Sequence, residues 1–155
     1  MRVQNLSATT LATLHSTAVA AGQTDITPST PIDMTDGGFQ GCVFYVAFGA
    51  ITAGGVQSVE IHSSATSGGT YAIDATGSAV VVADSDDNKM VVCEIYRPTN
   101  PFLKCIVKRA TQDSAINAIV AIQYGGRRAI PTQGATVAGR SASLGGGEIT
   151  DFELS

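Results

Sequence analysis

The sequence predicts an all-β protein: a jelly roll, β-barrel or sandwich of about seven or eight short antiparallel strands with extended N- and C-terminal arms. Three observations lead there. Apolar or alternating runs of strand length recur from residue 39 to 124, and Gly, Pro, Asp and Asn separate them, with no long helical period between. Charged residues make up only 14% of the chain, against 44% hydrophobic and 17 glycines, about half the usual charged share. At 155 residues the chain has the length of one domain, able to bury roughly 70% of its unfolded surface. The expected divisions are an N-terminal arm over 1–12, a β-domain over 13–125 and a Gly/Ser-rich arm or tail over 126–155.

The opening MRVQNLSATTLA (1–12) is small and polar without a firm period, which suits an arm or a short helix. LHSTAVAA (14–21) alternates weakly. In the following stretch Pro28 and Pro31 forbid a central strand and favour an edge or an extended connection. Asp36-Gly37-Gly38 is a turn. FQGCVFYVAFGAIT (39–52) is almost continuously aromatic and β-branched, as in a strand covered on both faces or one crossing between sheets.

VQSVEIHSSA (56–65) alternates, with Val59 and Ile61 facing in. TSGGT then turns, YAIDATG offers a short strand, and SAVVVA (78–83) is an apolar run ended by DSDDN. KMVVCEIY is a strand, RPTNP a stiff corner, and FLKCIVKRA (102–110) a strand with Leu103, Cys105 and Val107 on one face and Lys104 and Lys108 on the other. AINAIVAIQY (115–124) places Ile116, Ala118, Val120, Ile122 and Tyr124 on one side. Beyond Gly125 the chain is too poor in large apolar residues to offset its own ordering entropy. It is either a tail or an arm that orders on a neighbouring subunit, with Ile149, Phe152 and Leu154 as its apolar anchors.

Several function classes lose support. A net charge of −4 argues against wholesale coating of nucleic acid, and the longest apolar run, CVFYVAFGAI (42–51), is too short for a membrane helix. The N-terminus lacks a secretory pattern. Cys42, Cys93 and Cys105, an odd number inside apolar runs, read as reduced buried thiols; a disulfide between the runs holding Cys93 and Cys105 would need a favourable register. DSDDNK (84–89) opens like a calcium loop, but Lys89 stands where glycine is required and Ile95 where the bidentate Glu belongs, so a turn is expected. His15 and His62 lie at no metal-ligand spacing, and His62 is expected to face solvent or a subunit boundary. Nucleophile-elbow, dinucleotide and P-loop patterns are missing, and no tryptophan offers a sugar platform. No enzyme, cofactor or metal site is expected.

Six of the nine basic residues fall between 97 and 128. Besides ordinary surface dressing, this spacing suggests a basic contact face whose charge would orient an acidic partner, stiffened by the prolines of RPTNP. The candidate contact residues are Arg97, Pro98, Pro101, Lys104, Lys108, Arg109, Arg127, Arg128 and Phe152.

The string DDNKMVVCEIYRPTNPFLKCIVKRATQDSAINAIVAIQYGGRR (86–128), with IHSSATSGGTYAID before it, resembles a group of small structural proteins of tailed bacteriophages. The better understood members are capsid decoration, or cement, proteins. The markers are the acidic turn before Asn88-Lys89, the Tyr-Arg-Pro corner, VKRAT and the closing AIVAIQYG. The resemblance implies a barrel or jelly roll, made in the host cytoplasm, that oligomerises on the exterior of the virion and clamps neighbouring major capsid subunits. Its partners would be the major capsid protein and itself, as a homotrimer or alternatively a homodimer, with no nucleic acid and no membrane. The alternatives are a tail, neck or fibre β-domain, or a carbohydrate-binding module.

Overall fold

The computed structural model describes residues 6–74, 79–126, 133–139, 142–144 and 147–149. A one-turn helix, α1 (Leu6–Thr9), precedes β1 (Leu11–Ser16), β2 (Val19–Gly22), β3 (Ile32–Asp33), β4 (Gly41–Ile51), β5 (Val56–Ser64), β6 (Ala72–Ile73) and β7 (Val80–Val82). A 3-10 turn over Asp84–Asp86 leads into β8 (Met90–Tyr96), β9 (Phe102–Ala110) and β10 (Ser114–Tyr124), and β11 (Ala142–Leu144) pairs with β12 (Gly147–Ile149) as a separate hairpin. The first sheet runs β1-β10-β4-β8 with β2 also on β10; the second runs β3-β9-β5-β6 with β7 also on β5. Each sheet has five strands and every pairing is antiparallel. Of the expected architectures, the chain takes the sandwich. Among the described residues no helix is long and apolar enough to cross a membrane.

The period-2 pattern builds the core. From the first sheet come Cys42, Phe44, Val46 and Phe48 of β4 with Cys93 and Ile95 of β8; from the second come Val59 and Ile61 of β5 with Leu103, Cys105 and Val107 of β9. Val59, Ile61 and the β9 trio face inward as expected. All three cysteines are buried free thiols.

Three expectations need correction. β10 does not keep one face: Ile116 points in, but beyond it Ile119, Ala121 and Gln123 are buried while Ala118, Val120, Ile122 and Tyr124 turn to the other side. The cause is a β-bulge, because Ile116 pairs with Phe48 and Ala118 with Ala47, so two steps on β10 match one on β4. One extra residue re-aims every side chain after it. Second, β4 neither changes sheets nor is covered on both faces; Val43, Tyr45 and Ala47 line an outer face that is only half-buried. Third, Leu11 and Ala12 belong to β1, paired with Gln123 and Ile122, so the sheet begins two residues inside the expected arm.

The segment carrying Pro28 and Pro31 leaves β9 without a continuous partner, and other groups complete its ladder. Ile32 pairs with Leu103, Ile26 exchanges bonds with Val107 at 2.9 and 3.0 Å, and the Asp25 carboxylate accepts Arg109 N at 3.1 Å. The remaining donor, Cys105 N, is taken by His15 Nε2 at 3.3 Å. His15 reaches this position from the bulge of β1 and stacks at 51° against Phe44, with ring centroids 5.6 Å apart. Burial pulls its pKa from 6.5 to about 4, with Lys104 adding to the effect. It is therefore a neutral acceptor.

Candidate interaction surfaces

The RPTNP corner carries the chain from β8 in the first sheet to β9 in the second, and the second sheet pins it. The buried Asp74 carboxylate accepts Thr99 N at 2.9 Å and Thr99 Oγ1 at 3.1 Å, and Asn100 Nδ2 donates to Ser63 Oγ at 3.2 Å. On the other flank Arg97 N donates to Gln40 O at 2.7 Å, and Met34 N donates to Pro101 O at 2.9 Å. Arg97 has φ 52, a left-handed conformation that costs a non-glycine residue about 1 kcal/mol. Its guanidinium lies 5.3 Å from the centre of the Tyr96 ring, whose hydroxyl donates to Gln40 Oε1 at 2.9 Å. Arg97, Pro98 and Pro101 converge on one cleft of about 400 Å³ whose far wall is Thr35, Phe39 and Gln40. Three of the candidate contact residues thus line one cleft, whose other side comes from the turn at 36–38 and from Phe39 and Gln40, which the sequence alone assigns to the following strand. Asp33, whose carboxylate accepts Thr35 N at 2.8 Å and Thr35 Oγ1 at 2.6 Å, starts that turn.

Among the described residues, the other basic side chains do not form one positive face. Lys104 and Lys108 share the outer side of the second sheet, where β5 sets His62 opposite Lys104 and Glu60 opposite Ile106. Lys104 Nζ rests 4.7 Å from the centre of the Tyr71 ring. Lys108 Nζ pairs with Asp25 Oδ2 at 2.7 Å, which raises the lysine pKa and lowers that of the carboxyl. His62 Nε2 lies 2.8 Å from Glu60 Oε2, both side chains largely shielded.

Arg109 is the clear correction: it is only 8% exposed. Its Nε donates to Thr24 O at 2.5 Å, and its Nη1 donates to Ala20 O at 3.0 Å and Ser114 O at 2.6 Å. Parity explains this, because Arg109 continues the inward series of Leu103, Cys105 and Val107. It fastens β2 and the loop after it to β10 and cannot meet a partner. Arg127, Arg128 and Phe152 lie outside the described residues.

The acidic loop is consumed by the fold. Asp84 Oδ2 accepts Gly54 N at 2.7 Å, Asp87 Oδ1 accepts Ile51 N at 2.5 Å, and Asp86 holds Ala83 N at 3.1 Å and Lys89 Nζ at 2.9 Å. The Asp84 and Asp87 bonds tie it to the end of β4 and the turn after it, and the Asp86 bonds close the loop on itself.

A surface the sequence did not flag is the outer face of the first sheet. Its cross-strand rows read Leu14–Val120–Tyr45–Val92, then Ala12–Ile122–Val43–Glu94, then Ala118–Ala47–Met90. Met90, Val92 and Tyr96 are more than half exposed, at 59%, 53% and 52%. Glu94 is the single charge in these rows. The Tyr124 ring crosses over Gly41, where any Cβ would collide with it, and its hydroxyl donates to the Glu94 carboxylate. Burial first, then the bond to Glu94, pushes the Tyr124 hydroxyl well above the ordinary phenol range.

Against known proteins, no family model and no curated protein matches the chain. A solved structure described as the crystal structure of PBSX exported protein XepA matches with a TM-score of 0.56 at 12% identity, covering 93% of this chain and 47% of that one. The likeness is one of fold. The sandwich thus recurs in a protein of which this chain spans about half the length.

Proposed function

We propose that the chain is a structural protein of a phage particle, attached to the outside of the head, where it braces contacts between major capsid subunits. The observation that carries this reading is the pinned corner. Arg97 sits in a strained backbone conformation beside a cleft, on a segment fixed from both sheets. Backbone strain over-determined by surrounding bonds clusters at functional sites, and a segment ordered before binding loses little entropy on docking. Arg97 offers a planar donor fork for a carboxylate of the partner. The phage-protein resemblance of residues 86–128 and the sandwich shared with an exported PBSX protein support the same assignment. The role is that of a binding protein without a catalytic step. It stabilises the assembled shell because it binds that state and not the free subunit.

Co-sedimentation with heads lacking the protein tests this. Wild type is expected to reach saturating occupancy, and Arg97→Glu to bind roughly tenfold or more weakly, a change of about 1.4 kcal/mol, with unchanged thermal unfolding. Equal occupancy of the two proteins on the same heads would overturn the assignment.

A further inference from the structure

Among the described residues, three of the four edges of the two five-stranded sheets are protected in the ways proteins ordinarily protect them. The outer edge of β1 is covered by the C-terminal segment: Ala12 N donates to Gln133 Oε1 at 2.9 Å, Leu14 N to Thr136 Oγ1 at 3.1 Å, and Gln133 Nε2 to Thr10 O at 2.7 Å. The second sheet ends on one side in the two residues of β3 and on the other in β6 and β7, of two and three residues. The seven residues of β8 are the exception.

Lys89 O and Arg97 N, just beyond the two ends of β8, bond to Phe48 N and Gln40 O beside it. By the two-residue period, the backbone groups of Val91, Cys93 and Ile95 face β4. Those of Met90, Val92, Glu94 and Tyr96 face away, and among the described residues nothing pairs with them. The same four residues expose their side chains. The edge is long and apolar, and it contains no proline or lysine.

We propose that β8 is a self-association edge, and that its occupant is the antiparallel β8 of a second copy related by a two-fold axis through Cys93. The register follows from the residues. Centred on Cys93, Met90 lies opposite the partner's Tyr96 and Val92 opposite the partner's Glu94, so all four outward residues pair. Each such pair exchanges two bonds, giving about eight hydrogen bonds across the seam. Sliding the partner one way sets Glu94 directly against its own copy, two like charges face to face. Sliding it the other way leaves Tyr96 without a partner. In the favoured register the Glu94 carboxylate is also drawn back over the sheet by Tyr124, away from the axis. The apolar outer faces of the two copies then form one continuous surface. An isologous edge contact closes at two copies, which selects the homodimer over the homotrimer. Self-association rests on the outward backbone groups of β8 and attachment to a particle on the Arg97 guanidinium and its cleft; Tyr96 borders both. The register brings Arg97 near the partner's Lys89, so removing its positive charge does not weaken the seam.

Mass measurement by light scattering over a dilution series, on the full chain, tests the proposal. Wild type is expected at twice 15.8 kDa. Val92→Pro is expected at the monomer mass wherever wild type is dimeric, since the lost N–H faces away from β4 and the sheet keeps its ladder. An unchanged far-ultraviolet circular dichroism spectrum checks that this variant is folded. Two further variants read the register: Val92→Asp, set against the partner's Glu94, should weaken association several-fold, whereas Val92→Lys should keep or strengthen it. A monomeric or trimeric wild type, a dimer that survives Val92→Pro, or equal effects of Asp and Lys at position 92 would overturn the proposal. Arg97→Glu should leave the dimer mass unchanged, so loss of head binding and loss of pairing are told apart.

Discussion

Asp74 holds Thr99 by both its backbone and its side chain, its two carboxylate oxygens accepting Thr99 N at 2.9 Å and Thr99 Oγ1 at 3.1 Å. Asp74 is 1% exposed and lies next to β6, while Thr99 is the middle residue of the corner. Prolines alone would limit the corner's φ angles; this contact fixes its position on the second sheet. Thr99→Val, which deletes only the hydroxyl bond, should cost about 1 kcal/mol, and Asp74→Ala about 2–3 kcal/mol because it leaves two donors at a buried site without their acceptor. Urea unfolding of the two variants checks the difference, and a corner freed by Asp74→Ala should also bind heads more weakly.

Arg97 and Arg109 should behave in opposite ways. Arg109→Ala leaves three backbone carbonyls without their donor and is expected to destabilise the fold by about 3 kcal/mol or more. Arg97→Gly relieves a positive φ but gains chain entropy in the unfolded state, so its stability should stay within about 1 kcal/mol of wild type. Chemical denaturation of both variants checks the contrast.

Stability should fall in acid through His15. Its folded pKa of about 4 lies below the ordinary 6.5, so between those values the unfolded chain binds more protons than the folded one. Stability from this group is complete above pH 6.5, declines as pH falls toward 4, and levels off below. The full span is on the order of 3 kcal/mol. Unfolding free energies measured across this window should show that slope, and His15→Gln should flatten it.

The cysteines should be inert in the native protein. Burial raises the pKa of Cys42, Cys93 and Cys105, and none is more than 4% exposed. A thiol-reactive dye at pH 8 should label none of them in the folded state and all three in guanidinium chloride.

Strand positions and the inward faces of β5 and β9 were legible because alternation and turn residues are local signals. What escaped were features set by pairing. The bulge between Ile116 and Ala118 turned half of β10 over, and nothing in AINAIVAIQY marks it. CVFYVAFGAI carried a real signal, apolar residues on both faces, but that pattern suits double burial and an uncovered apolar face equally well. Arg109 was readable: the alternation that sent Leu103, Cys105 and Val107 inward sends it inward too, and its charge misdirected the assignment. Arg97, Pro98 and Pro101 were singled out by the stiffness of their local sequence, and the fold sets them on one cleft. The residues that complete their site, Asp74, Phe39 and Gln40, lie more than twenty positions away and are joined to the corner only by the fold.

The most direct test is an electron cryomicroscopy reconstruction of heads saturated with the protein. Density for the sandwich is expected on the outer shell, with the Arg97–Pro101 corner set against a seam between capsid subunits. Density confined to the tail or neck, or a sandwich on the shell whose corner points into solvent, would contradict the assignment.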